Sequence, residues 1–174
     1  SVAGWVGDGR RGGQERSIFA GWDWYKGGGG GRVRRGSPAM GPGSVVGKYR
    51  VVRPLGRGAM GVVYEVRHVV LHTRAALKVL WPGGAMDGEQ AGRFLTEARA
   101  SGAVAHPGVV QVLEYDALPG GTPYLVMEYL AGETLQRRLE RCGRLGRAAV
   151  PLLLQMAETL AAVHARGIVH RDLK

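Results

Sequence analysis

The stretch Leu55-Gly56-Arg57-Gly58-Ala59-Met60-Gly61 limits what this chain can fold into more than any other. Its three glycines, Gly56, Gly58 and Gly61, stand between two strand-like runs, residues 49–55 before them and 62–70 after. Glycine adopts backbone angles closed to other residues and lets main-chain N–H groups approach a ligand with no Cβ in the way. A turn of this composition between two paired strands can fold over a phosphate chain. A third run, residues 75–80, carries one lysine, Lys78, among apolar neighbours. From the next strand that lysine can reach the same phosphates as a point charge.

A glycine pattern of this kind also marks dinucleotide-binding folds, but there a helix must follow the glycines. Here Val62, Val63, Tyr64, Glu65 and Val66 follow, a β-branched and aromatic run that favours strand. No G-x-x-x-x-G-K-[ST] occurs in the chain, which removes the P-loop. Downstream stand A-A-L-K at residues 75–78 and His170-Arg171-Asp172-Leu173-Lys174 at the end. In that order the motifs resemble the glycine-rich loop, the third-strand lysine and the catalytic loop of protein kinases. The resemblance runs from about Tyr49 to Lys174 and covers roughly the first half of such a domain.

The resemblance implies an α+β fold, protein-kinase-like. A five-stranded antiparallel small lobe with one main helix is followed by the first helices of a large lobe, cut short at the catalytic loop. The implied organisation is a Gly/Arg-rich disordered leader (1–43), small lobe (44–127), hinge (128–132) and the start of the large lobe (133–174). It further implies ATP and Mg²⁺ as cofactors and protein Ser/Thr hydroxyls as substrates, since a lysine two residues after Asp172 resembles the serine/threonine kinases.

Roles follow residue by residue. Lys78 supplies charge to the α- and β-phosphates, and Glu97 on the next helix is its carboxylate partner. Asp172 accepts the proton of the attacking hydroxyl and orients it, and Lys174 stabilises the transferring group. Leu55, Gly56, Arg57, Gly58, Ala59, Met60, Gly61 and Val62 form the stretch over the nucleotide. Val63 and Ala76 form the upper wall of the adenine slot, Glu128 and Leu130 bond the base through their main chain, and Met127 guards the back. His170 is read as structural, and Arg171 resembles the arginine that binds a phosphorylated activation loop. Each residue also has a plainer reading: Lys78 snorkelling from a strand, Glu97 solvated on its helix, the hinge residues apolar in any case. The order of the motifs favours the functional one.

Composition bounds the remainder. Of the 30 glycines, 14 lie in residues 1–43, and that segment also holds 7 of the 24 Lys+Arg against 3 of the 14 Asp+Glu. Gly27 to Gly31, then Arg32, Arg34 and Arg35, with Trp22, Trp24 and Tyr25 before them, allow an arm for RNA or single-stranded DNA. A segment unable to bury enough apolar surface to fold is the preferred reading, so nucleic acid is not an expected partner. Met40, just ahead of the first patterned strand, offers an alternative start. The net charge of +10 suits an anionic nucleotide or an acidic partner. A single cysteine, Cys142, excludes an internal disulfide framework and fits a reducing, cytoplasmic setting. Pro151, Gln155 and Glu158 interrupt the longest apolar stretch, so no membrane span is read there.

Taken in order, strands are expected at about 49–57, 61–69 and 74–80, a helix at 89–104, strands at 109–115 and 124–128, and helices at 133–141 and 147–166. Val150, Leu153, Met156, Leu160 and Val163 form the apolar side of the last helix, with Gly167 as its C-cap. The Asn and the D-F-G aspartate that hold Mg²⁺ in the family fall after Lys174. The sequence therefore predicts no metal ligand within these residues, no transfer activity of this polypeptide alone, and apolar surface exposed on the last helix. The rival from another class is a pseudokinase or nucleotide-binding scaffold, which Lys78, Glu97 and Asp172 do not favour. Substrate identity, activating signal and oligomeric state are not written in these residues.

Overall fold

The computed structural model describes residues 5–6, 40–58, 61–81 and 88–169. Within these, the chain divides into two compact units whose boundaries fall between Arg99 and Ala100, Gln111 and Val112, and Tyr129 and Leu130. One unit is built on a sheet, the other mainly on helices.

In the first unit, the runs rich in Val, Tyr and Leu extend as strands: β3 (Tyr49–Arg57), β4 (Gly61–His68) and β5 (Arg74–Leu80). Two short strands precede them in the chain, β2 (Val45–Val46) in this unit and β1 (Trp5–Val6) in the other. Helix α1 (Gly88–Ala103) follows, then β6 (Val112–Ala117) and β7 (Pro123–Glu128). The strands pair antiparallel in the order β2-β3-β4-β5-β7-β6. The sheet thus has six strands rather than five, because Gly47 at φ +53° turns Val45–Val46 back on Tyr49–Arg50. Two residues are too few to show a period in the sequence. Pro54 has no N–H for a ladder, and it sits where the β3–β4 register shifts, between Pro54 and Gly56.

Paired residues project to the same face of a sheet and successive residues to opposite faces. Val62, Tyr64 and Val66 of β4, Ala75, Leu77 and Val79 of β5, and Tyr124 and Val126 of β7 therefore share one face, where they join Val46, Tyr49 and Val51 in a single apolar cluster. Val63, Glu65, Ala76, Lys78, Leu125 and Met127 share the other. Both faces are buried, which is why residues 75–79 read as a continuous run with one charge in it.

The second unit contains β8 (Glu133–Thr134), α2 (Leu135–Cys142), a 3₁₀ turn at Gly146–Ala148 and α3 (Ala149–His164). Helix α2 begins at Leu135 rather than at 133 because Thr134 is its N-cap, its hydroxyl accepting from the Arg137 N–H at 3.2 Å. Glu133 is left in β8, paired with Val6, and its carboxylate binds Arg141 at 2.7 Å and Arg138 at 2.9 Å. Those hydrogen bonds, the one from Arg141 foremost, hold the Glu133 carboxyl below its usual range. Trp5 and Val6 thereby form a strand pair within the segment expected to lack structure; residues 7–39 lie outside the described ones.

Two expectations about this unit are corrected. Val109 and Val110 do not open a strand. The turn at His106-Pro107-Gly108, closed by Gly108 N–H donating to His106 Nδ1 at 3.0 Å, delivers Val109 into an apolar cluster with Val104 and Val163. The buried stripe of α3 is also shifted, running through Leu152, Thr159 and Val163 with Met156 and Leu160 half-buried, while Val150, Leu153 and Leu154 are exposed. The helix ends as expected: Gly167 at φ +71° donates to His164 and Ile168 to Val163, a Schellman cap. Among the described residues no helix is long and apolar enough to cross a membrane.

Candidate functional site

Strand register assembles much of the expected site on one face. Gly56 pairs with Val63, Val63 with Lys78, and Lys78 with Leu125, giving a row across four strands. In the next row Glu65 pairs with Ala76 and Ala76 with Met127. Val63, Ala76, Lys78 and Met127 are thus neighbours on the face opposite the apolar cluster. All four are buried, Lys78 to 7% exposure. A lysine so buried needs partners that offset lost hydration. One is aromatic: its Nζ stands 5.5 Å over the ring centroid of Phe94 on α1, within cation–π range. Phe94 in turn lies 6.0 Å from the Tyr115 ring.

The glycine turn is closed by the Gly58 N–H donating to the Gly61 carbonyl at 2.9 Å. Gly61 has a packing reason to be glycine: a Cβ there would overlap the Val79 carbonyl oxygen and stand 2.9 Å from its carbon. The close approach at Gly61 is thus to a neighbouring strand. Leu55, Gly56 and Gly58 are half-buried and Arg57 is exposed. Val62 faces the other way, into the apolar cluster, so its side chain is not brought to the face that holds Lys78. Ala59 and Met60 lie outside the described residues.

Glu128, the last residue of β7, and Leu130 on the segment leading out of the sheet are half-buried. A feature that sequence reasoning missed fixes the start of this segment. Glu65, only 4% exposed, binds Arg53 Nε at 2.9 Å and the Arg74 guanidinium at 2.9 and 3.0 Å. Arg74 then lies 3.8 Å over the ring of Tyr129. The signal was a lone carboxylate in a buried strand, in register with Arg53 across β3–β4.

Glu97 is carried by the backbone of α1, but its side chain, and so any ion pair with Lys78, lies outside the described ones. His170, Arg171, Asp172 and Lys174 are likewise outside. Among the described residues no group of three His, Cys, Asp or Glu side chains is placed to hold a metal ion. What the face offers is a buried cation beside a smooth apolar wall, which fits a ligand with an anionic end and a flat apolar body.

Three comparisons with known proteins bear on this arrangement. The family described as "Protein kinase domain" matches residues 49–174. Serine/threonine-protein kinase Pkn1 of Myxococcus xanthus is 45% identical over 128 residues, covering 74% of this chain and 18% of that protein. Serine/threonine-protein kinase PknA of Mycobacterium tuberculosis is 41% identical over 143 residues, covering 79% of this chain and 33% of that protein. The crystal structure of the M. tuberculosis PknI kinase domain superposes with a TM-score of 0.67 at 32% identity, over 78% of this chain and 55% of that one. The chain therefore spans a minor part of the length of those curated relatives.

Proposed function

The chain belongs to the protein kinase family, and from that premise we propose that it carries the ATP-binding part of a serine/threonine protein kinase, one that transfers the γ-phosphoryl group of ATP to protein Ser/Thr hydroxyls. The observation that carries this reading is Lys78, a cation 7% exposed on the face it shares with Val63, Ala76 and Met127. The names of the relatives, serine/threonine-protein kinases, support the class of hydroxyl acceptor.

Bound ATP supplies the phosphoryl group, and Mg²⁺ offsets charge on its phosphates. The protein's part is positioning and charge neutralisation rather than covalent chemistry. In this reading Lys78 binds the phosphates, held in place by Glu97, and the turn from Leu55 to Gly61 covers them. Val63 and Ala76 wall the base, which hydrogen-bonds to the main chain of Glu128 and Leu130 with Met127 behind it. Asp172 orients the acceptor hydroxyl and takes its proton, and Lys174 neutralises charge on the transferring group. A cytoplasmic setting follows, where nucleotide is available and Cys142 stays reduced.

The test is calorimetric titration of the 174-residue chain with ATP, compared between the native protein and Lys78→Met. A charge-assisted contact contributes about 1.5–3 kcal/mol, so the variant should bind roughly ten- to a hundredfold more weakly. Equal affinity in a folded variant, checked by far-UV circular dichroism, would remove Lys78 from the site.

A further inference from the structure

We propose that Trp81 is a positioning residue for the glycine turn, holding Gly58 in the pose that receives the phosphates of a nucleoside triphosphate. The proposal rests on the nucleotide-binding reading above and adds to it a residue outside the motifs.

The argument begins with register. Leu80, the last residue of β5, pairs with Gly61, so the chain leaves β5 directly beside the turn. Val79 belongs to the apolar cluster, and Trp81, two residues on, packs half-buried against the same cluster. The ring is thereby anchored by its apolar body, and its polar edge is turned to the turn: Nε1–H donates to the Gly58 carbonyl at 3.0 Å, 23 residues away in sequence. Half-buried indoles of this kind commonly find such a partner for their one donor.

Glycines lose the most conformational freedom on ordering and bring no side chain to fix themselves. Gly58 has two main-chain anchors in place of one: its N–H on Gly61 and its carbonyl on Trp81. Fixing the direction of the Gly58 carbonyl restricts rotation about the Gly58 Cα–C bond, one of the two soft dihedrals of that residue. A turn ordered beforehand does not have to be ordered by its ligand, and affinity rises accordingly. The gain belongs to the phosphates, which the turn meets, and not to the base, which lies along the wall formed by Val63 and Ala76.

Trp81→Phe keeps a ring on the cluster and deletes the donor. In the 174-residue chain, titrated with ATP and with adenosine as probes, the loss of one net hydrogen bond should weaken ATP binding about fivefold, leaving adenosine affinity unchanged. Amide exchange at Arg57 and Gly58 should quicken in the variant without any nucleotide. An equal loss for both ligands, or unchanged exchange at Gly58, would overturn the proposal. If the native chain binds neither ligand, the nucleotide reading itself falls and this inference with it. Should Trp81→Phe fail to fold, benzothienylalanine at position 81, which keeps the bicyclic shape and lacks the N–H, makes the same measurement.

Discussion

Tyr124 brings a phenol into the apolar cluster at 2% exposure, with its hydroxyl 3.5 Å from Asp116 Oδ2. Burial, then the charges of Asp116 and Glu114, push its pKa up to about 12. The same two kinds of cause, burial and Glu114, raise that of Tyr49. An unfolded tyrosine ionises near pH 10. The folded state therefore holds more protons than the unfolded one between about pH 10 and 12, and stability must fall as pH rises through that window. Below it the term is fully present and constant. Urea unfolding midpoints measured from pH 9 to 12 should decline steeply above 10, and Tyr124→Phe should flatten part of the decline while Tyr49 sustains the remainder. A Tyr124→Phe profile parallel to the native one would show that this hydroxyl is not the source. Gly47 belongs to the same corner: a Cβ there would stand 2.9 Å from the Tyr124 hydroxyl, on a backbone at φ +53°.

At the scale of elements, the contact between the His106-Pro107-Gly108 turn and α3 decides where the second unit's apolar residues go. A Cβ on Gly108 would overlap the Thr159 hydroxyl and approach its Cγ2 to 2.8 Å and its Cβ to 2.9 Å. Thr159 cannot swing aside freely, because its Oγ1 donates to the Gln155 carbonyl at 2.8 Å and a β-branched side chain in a helix has few rotamers. Gly108→Ala should therefore destabilise this unit by about 1–3 kcal/mol, the usual cost of overpacking. Adding Thr159→Ala should restore part of that loss, so the two changes must be non-additive in chemical denaturation; strict additivity would place the clash elsewhere. This contact also explains a misreading of the sequence. Periodicity finds an apolar stripe in α3, yet Val150, Leu153 and Leu154 offer one as good as Leu152, Met156 and Val163. Contacts from distant residues select between them: Gly108 against Thr159, and Val104 and Val109 against Val163. The longer strands were legible where each carries its own signal: the expectations at about 49–57 and 74–80 match β3 and β5, β-branched runs between turn residues. Two-residue β2 was missed, and β6 begins three residues later than expected. The sharing of one sheet face was legible where it depends on alternation, as for Val63, Ala76 and Lys78, whereas cross-strand contacts, such as those of Glu65 and Trp81, were not.

For the molecule as a whole, the question is how much of the chain the fold needs. Every residue of the sheet's apolar cluster lies between Val46 and Val126, and the first outlying residue to pack on it is Met40, whose N–H donates to the Tyr64 hydroxyl at 3.4 Å. Among the described residues, that cluster draws on none before Met40. Their one described contribution is to the other unit, where Trp5 and Val6 pair with Thr134 and Glu133. Glu133 is held independently by Arg138 and Arg141, and α2 by the Thr134 cap, so a two-residue ladder adds little there. Deleting residues 1–39 should thus leave the unfolding midpoint of the sheet and the affinity for ATP unchanged, to within the ~0.5 kcal/mol expected of changes away from the core. It should quicken amide exchange at Glu133 and Thr134, and leave 17 Lys+Arg against 11 Asp+Glu in place of 24 against 14. If the shortened chain lost several kcal/mol from the sheet, or lost ATP binding, the Gly/Arg-rich segment would have to be counted as part of the folded domain, which would then begin before residue 44.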